Sequence, residues 1–229
     1  MSRRWTSRLC AVVLACIGAD VPFVAGADQG ATRVRTIPYQ RGISIASRLL
    51  EGDQVVLVQR EESTEGLIFE SEPAVAWYAA YSVGSSHAAV VLNVQGIHGT
   101  LADDGSWIYT EVLGTPSRVI FSSIPGVKKA QPMHLHYEHG GELQIGGCTV
   151  KAGVLLNLQI GGSYLVFFAW DSAGQFYPTR TIMEIHRGRL VDTWRSIKPV
   201  GKREPLDGVS LDRAVKEIQK AARQLTSPR

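Results

Sequence analysis

The chain has 229 residues, 24 of them basic and 21 acidic, for a formal net charge of +3. Lys and Arg alternate with Asp and Glu instead of clustering, which argues against the concentrated basic surface that neutralises nucleic-acid phosphates or anionic lipid. About 200 residues after a leader suit one domain with extensions, and no later segment is apolar for long enough to cross a bilayer as a helix.

The first 27 residues read as an address. Met1 to Arg8 is a basic head, Leu9 to Ala15 opens an apolar run broken at Gly18, Asp20 and Pro22, and Ala25-Gly26-Ala27 ends it with a small-x-small pattern. That is the anatomy of a secretory signal peptide cleaved before Asp28. Cleavage takes Arg3, Arg4 and Arg8 from the 24 basic residues and Asp20 from the 21 acidic ones, leaving a net charge of about +1. It also removes Cys10 and Cys16, so Cys148 remains alone and no intramolecular disulfide is available. Cys148 itself reads as a small buried hydrophobe in a strand. A competing reading makes Val13-Leu14-Ala15-Cys16 a lipobox with Cys16 as a lipid anchor, although Leu14 stands where a small residue is preferred.

Residues 28–41 are polar and irregular and read as a flexible lead-in. The domain proper spans 42–197. Strands are expected at Gln54–Gln59, Leu67–Phe69 and Ala88–Gln95, each a β-branched or apolar run. Asp103-Asp104-Gly105 is a turn signal, Trp107–Leu113 alternates as a half-buried strand does, and Gly114–Ser117 turns the chain into Arg118–Ser123. Further short strands follow at Met133–Glu138, Glu142–Ile145, Thr149–Lys151, Gln175–Tyr177, Thr181–Ile185 and Arg189–Asp192. Tyr164–Trp170 is almost wholly apolar and reads as the central strand, covered on both faces. The pentapeptide LQIGG occurs at 143–147 and 158–162, which reads as two strand ends breaking at Gly-permitted turns.

Two helices are expected. Glu72–Val83 follows Ser71 as N-cap with Pro73 in its first turn, and its apolar composition makes it a largely buried helix. Beyond a Pro- and Gly-punctuated linker at 198–208, Ser210 caps a C-terminal helix over Leu211–Leu225. Its stripe of Leu211, Val215, Ile218, Ala222 and Leu225 at helical spacing should dock on the β-domain, and Asp212 and Arg223 suit the helix dipole.

The runs VVLNVQGIHGTLADDGSWIYTEVLGTP, GGELQIGGCTVKAG and LQIGGSYLVFFAWDSAGQFY resemble a group of exported bacterial proteins with no assigned activity. Their strand order is similar to small closed barrels of the OB or netrin-like (NTR) type. The resemblance covers roughly residues 85 to 190, with Thr115 where the group often has Lys-Gly and without the disulfides of eukaryotic netrin-like inhibitors. It implies a mainly β fold: a small antiparallel β-barrel, one buried helix before it and the amphipathic C-terminal helix after it.

One cluster has the composition of a chemical site: Met133-His134-Leu135-His136-Tyr137-Glu138-His139, with Glu142 beyond. On a strand, His134, His136 and Glu138 share one face and Leu135, Tyr137 and His139 the other. Imidazoles about 6–7 Å apart along a strand face can chelate a divalent metal once a third ligand arrives. His-x-His opens the cupin metal motif, but Glu142 falls one residue late for it and no second motif follows. The plain reading of the same residues is a solvated edge. His87, His98 and His186 are scattered, Asp103-Asp104 is ordinary turn chemistry, and no nucleophile elbow, metalloprotease, phosphate-loop, Cys-x-x-Cys or EF-hand motif is present. Two functions compete on this footing. One is an exported, non-enzymatic binding module contacting a protein or another envelope component, with neither cofactor nor nucleic acid. The other is a metal-binding protein or metal-dependent enzyme built on His134 and His136.

Overall fold

The computed structural model describes residues 34–58, 75–153, 156–172, 174–193 and 204–226, all within the unit Thr32–Arg229. The signal peptide, Cys10 and Cys16, the strand expected at 67–69, the Ser71 cap with Pro73, and linker residues 198–203 lie outside the described residues.

The fold is mainly β. Strands β1 (Val34–Pro38), β2 (Gln54–Val58), β7 (Cys148–Gly153) and β6 (Gly140–Ile145) form a four-stranded sheet in the order β1-β2-β7-β6. The larger sheet runs β11-β10-β8-β3-β4-β5-β9, built from β3 (Ala88–Leu101), β4 (Ile108–Ser122), β5 (Met133–Tyr137), β8 (Ser163–Trp170), β9 (Phe176–Pro178), β10 (Met183–His186) and β11 (Arg189–Asp192). Strand β9 pairs with β5 in parallel and with β8 antiparallel. Hydrogen bonding therefore returns on itself through five strands, β3-β4-β5-β9-β8 and back to β3.

Long paired strands close on themselves only if they bend. The β3–β4 ribbon carries three register shifts, at Ala89/Val90, Val91/Leu92 and Val94/Gly96, and such bulges bend and twist a strand. This corrects the sequence reading at Gly114–Ser117: the segment does not turn the chain but continues β4, with Pro116 opposite Leu92. A second correction concerns the lead-in, whose residues 34–38 form β1, paired in parallel with β2.

The apolar run in β8 owes its composition to burial on both faces. Tyr164, Val166 and Phe168 point into the ring with Val90, Leu92, Val112 and Leu135. Leu165 and Phe167 point outward beneath helices α1 (Val75–Gly84) and α2 (Leu211–Thr226), in a core with Tyr78, Val215 and Ile218. A third cluster, including Val55, Leu57, Ile108 and Val150, fills the four-stranded sheet. The two sheets meet without room for side chains: a Cβ on Gly99 of β3 would collide with the Glu142 carbonyl of β6, and one on Gly141 would lie 2.8 Å from the Tyr109 carbonyl of β4. Both LQIGG copies end in turns, with Gly146, Gly147 and Gly161 at positive φ.

The helices differ from expectation in which face is covered. In α1, Tyr78, Ala79, Ser82 and Val83 are buried, but Trp77 and Tyr81 are exposed and stack on each other 5.3 Å apart. In α2 the buried positions are Ala214, Val215, Ile218 and Ala221, and Leu225, assigned to the docking stripe by its spacing, is 63% exposed. Ser210 accepts a 3.4 Å bond from the Arg213 N–H, as an N-cap should. Residues 204–208 are packed, in contrast to a linker. Leu206 is fully buried, and Glu204 accepts bonds from the Tyr78 hydroxyl at 2.6 Å and the Thr181 hydroxyl at 2.7 Å. Cys148 is buried and free, its thiol 3.0 Å from the Leu50 carbonyl, in keeping with its reading as a small hydrophobe.

Candidate functional site

A cleft of about 390 Å³ opens on the outer side of β4 and β5, between the loop that joins these strands and the β8–β9 turn. Volumes of this order take a small ligand or one or two units of a polymer.

The β8–β9 wall is an aromatic ladder running from core to solvent. Phe168 is fully buried and meets Phe176 edge to face at 5.4 Å; Phe176 in turn meets Trp170 at 5.7 Å. Trp170 is 40% exposed. Such offset and tilted contacts suit the ring quadrupoles and fix the outer ring by the inner ones. The turn is equally constrained. Asp171 N–H donates to the Gln175 carbonyl at 3.0 Å, and the Asp171 carboxylate accepts from Gln175 N–H at 2.8 Å. Gly174 takes φ of +82°, which a side chain would strain, and a Cβ there would lie 3.3 Å from the Trp170 indole nitrogen.

The opposite wall is the β4–β5 loop, with Pro125, Pro132 and, from β4 itself, Pro116. Ile124 anchors it in the core. Its backbone is tied at Ile124, whose N–H donates to the Ser122 hydroxyl at 3.1 Å, and at Ala130, whose N–H donates to the Pro116 carbonyl at 2.8 Å. His87 joins the two walls. Its Nδ1 accepts the Trp170 N–H at 3.0 Å and its carbonyl accepts the Ser123 N–H at 2.8 Å. His87 thus acts as a bracket, a role its isolated position before β3 did not signal.

His134 and His136 both line the cleft, on the solvent face of β5 opposite buried Met133 and Leu135. Their shared face is as the strand reading expects. Among the described residues no group of three His, Cys, Asp or Glu side chains is placed to hold a metal ion. Glu138 and His139 fall in the turn after β5 and so leave the strand's alternation; His139 stacks edge to face on Tyr137 at 5.3 Å. Glu142 belongs to the other sheet, where it pairs with Lys151 at 3.0 Å. His136 has Glu111 at 3.8 Å and the Tyr109 ring at 5.5 Å.

The other polar groups in the cleft are Lys128, Gln131 and Gln175. Among the described residues that line it there is no hydroxyl, thiol or carboxylate. Such a wall can stack, donate and accept hydrogen bonds and attract negative charge. It holds no side-chain nucleophile of the common hydroxyl or thiol kind and no paired carboxylates. Burial pushes Tyr137 up to about 12 and raises Tyr78 further, with the neighbouring Glu204 charge acting the same way. Hydrogen bonds from Ser106 lower Asp104, the turn role read from Asp-Asp-Gly.

No protein-family profile matches this sequence, and no curated protein aligns with it significantly.

Proposed function

We propose that this chain is an exported, non-enzymatic binding module of the cell envelope that holds its ligand in the outward cleft of a small closed barrel of the OB or netrin-like type. The barrel reading is supported by strand order. Numbering the ring strands by their appearance in the chain, the order is first, second, third, fifth, fourth, first, with only the third and fifth parallel. This order is the one expected of the Greek-key closure of an OB barrel, in which the second and third strands with the loop between the fourth and fifth carry ligands. The cleft occupies the corresponding region, on β4 and β5 beside the β8–β9 turn.

The observation that carries the functional reading is Trp170. A large aromatic side chain left 40% exposed beside a tightly bonded turn, facing prolines across a cleft whose described lining residues include no hydroxyl, thiol or carboxylate, is built for contact. Because the walls are tied before any ligand arrives, little ordering is needed on binding. Export rests on the leader, and the intact mass of the mature protein, beginning at Asp28 or at lipidated Cys16, decides its anchoring. The functional test is retention. Mature protein mixed with washed envelope particles should sediment with them, and Trp170→Ala should stay in the supernatant. Equal sedimentation of the two overturns the reading.

The two imidazoles in one cleft favour a second reading, a divalent-metal protein using His134 and His136. Elemental analysis of untagged protein separates the two: stoichiometric metal supports the second.

A further inference from the structure

Building on that binding reading, we infer that the cleft takes a sugar ring carrying a carboxylate, a unit of an acidic polysaccharide. Three features of the cleft lead there. The first is the aromatic wall. An indole 40% exposed, backed by Phe176 and Phe168, offers an apolar surface for the C–H face of a pyranose. The second is the choice of polar groups. Gln131, Gln175, His134 and His136 both donate and accept hydrogen bonds, which is what vicinal hydroxyls require and what a purely apolar ligand would leave unsatisfied. The third is charge. Lys128 is exposed, lines the cleft, and makes no ion pair among the described residues, while no carboxylate lines the cleft among them. A bound anion would meet one ammonium and two imidazoles, and the nearest carboxylate, Glu111, stands behind His136 at 3.8 Å and is not part of the lining.

The alternative occupant, an extended peptide, fits less well. One mode of peptide binding adds a strand to a free sheet edge, and β5 is paired along its length with β4 on one side and bridged to β9 at Leu135–Phe176 on the other. The chain is also nearly neutral after removal of its leader, so its net charge gives a longer polyanion little general attraction. Recognition is therefore local, one or two sugar units at a time.

The test is calorimetric titration of the mature protein with trigalacturonic acid and, separately, maltotriose. The expected result is measurable binding of the acidic trisaccharide, at least tenfold weaker binding of the neutral one, and at least a tenfold loss of trigalacturonate affinity in Trp170→Ala. Lys128→Gln should remove most of the preference for the acidic sugar, bringing the two affinities to within about threefold of each other. Absence of trigalacturonate binding, equal affinity for both sugars, or unchanged binding by Trp170→Ala overturns the inference. If trigalacturonate does not bind while Trp170→Ala still abolishes envelope retention, the sugar assignment is wrong and the binding-module reading stands; if retention also survives the substitution, both fail.

Discussion

Truncating Ile218 to Ala isolates the docking of α2 from every other feature of the fold. Ile218 is fully buried in the core that joins α1, α2 and the outer face of β8. Burying an isoleucine side chain contributes about 1.5–3 kcal/mol by transfer, and truncation to Ala leaves a cavity that brings the usual loss to about 2–5 kcal/mol. Because Ile218 is flanked by the small residues Ala214 and Ala221, which cannot swing in to fill a void, a loss near the middle, about 3–4 kcal/mol, is expected. In a domain of this size each kcal/mol shifts Tm by roughly 2–4 °C, so Ile218→Ala should melt about 6–16 °C below the wild type. Leu225→Ala is the internal control. Its side chain is 63% exposed, and it should stay within about 0.5 kcal/mol of wild type. Differential scanning calorimetry on the two variants decides the matter. Equal losses, or no loss from Ile218→Ala, would refute the packing argument and leave α2 undocked.

Three further outcomes are expected. The double change His134→Ala with His136→Ala should cost no more than about 1–2 kcal/mol, since His134 is exposed and His136, though partly buried, makes only a long 3.8 Å approach to Glu111; a large fall in Tm together with lost metal, measured by calorimetry and elemental analysis, would instead establish a metal centre. Tyr78 has its folded pKa raised above the unfolded value, so the neutral phenol's contribution is whole below about pH 10 and declines as pH rises beyond it. Urea unfolding at pH 9, 10 and 11 should therefore show a loss in the wild type that is smaller, by up to about 1.4 kcal/mol per pH unit, in Tyr78→Phe. Gly99→Ala should destabilise by about 1–3 kcal/mol or abolish folding, because its methyl group would enter the Glu142 carbonyl where the two sheets touch, whereas Gly52→Ala, with open space around it but φ of +80°, should cost only about 1 kcal/mol of backbone strain.

Where the sequence was legible, a local rule agreed with the tertiary demand. The Tyr164–Trp170 run is apolar because β8 is covered by the ring interior on one face and by the helices on the other. Ser210 caps α2 in the way its residue type favours. The errors share a cause, which is that contacts distant in sequence overrule local signals. Gly114-Thr-Pro-Ser117 carries turn residues, yet the pairing of Pro116 with Leu92 and the neighbouring bulges absorb them into a bent strand. Residues 204–208 look like a linker until Leu206 enters the helix core and Glu204 meets Tyr78. Leu225 falls on the α2 stripe by spacing, but the cover for that stripe ends before the last turn. The cleft was half legible. His134 and His136 stood out because alternation alone puts them on one face. Trp170 did not, because at the end of an apolar strand it reads as core, and only the β8–β9 turn brings it beside Phe176 at the surface. His87 was invisible for a stronger reason: its bracket joins segments 36 and 83 residues away.

The most direct test of the cleft as the binding site is chemical-shift mapping of the ¹⁵N-labelled mature protein titrated with soluble fragments released by digestion of envelope material. The account predicts that perturbed amides concentrate in the β4–β5 loop, at Gly126, Lys128 and Gln131, and in the β8–β9 turn, at Gly174 and Gln175, together with the Trp170 indole N–H. Perturbations centred on Trp77 and Tyr81 of α1, or along the β1 edge, with the cleft unchanged, would contradict it.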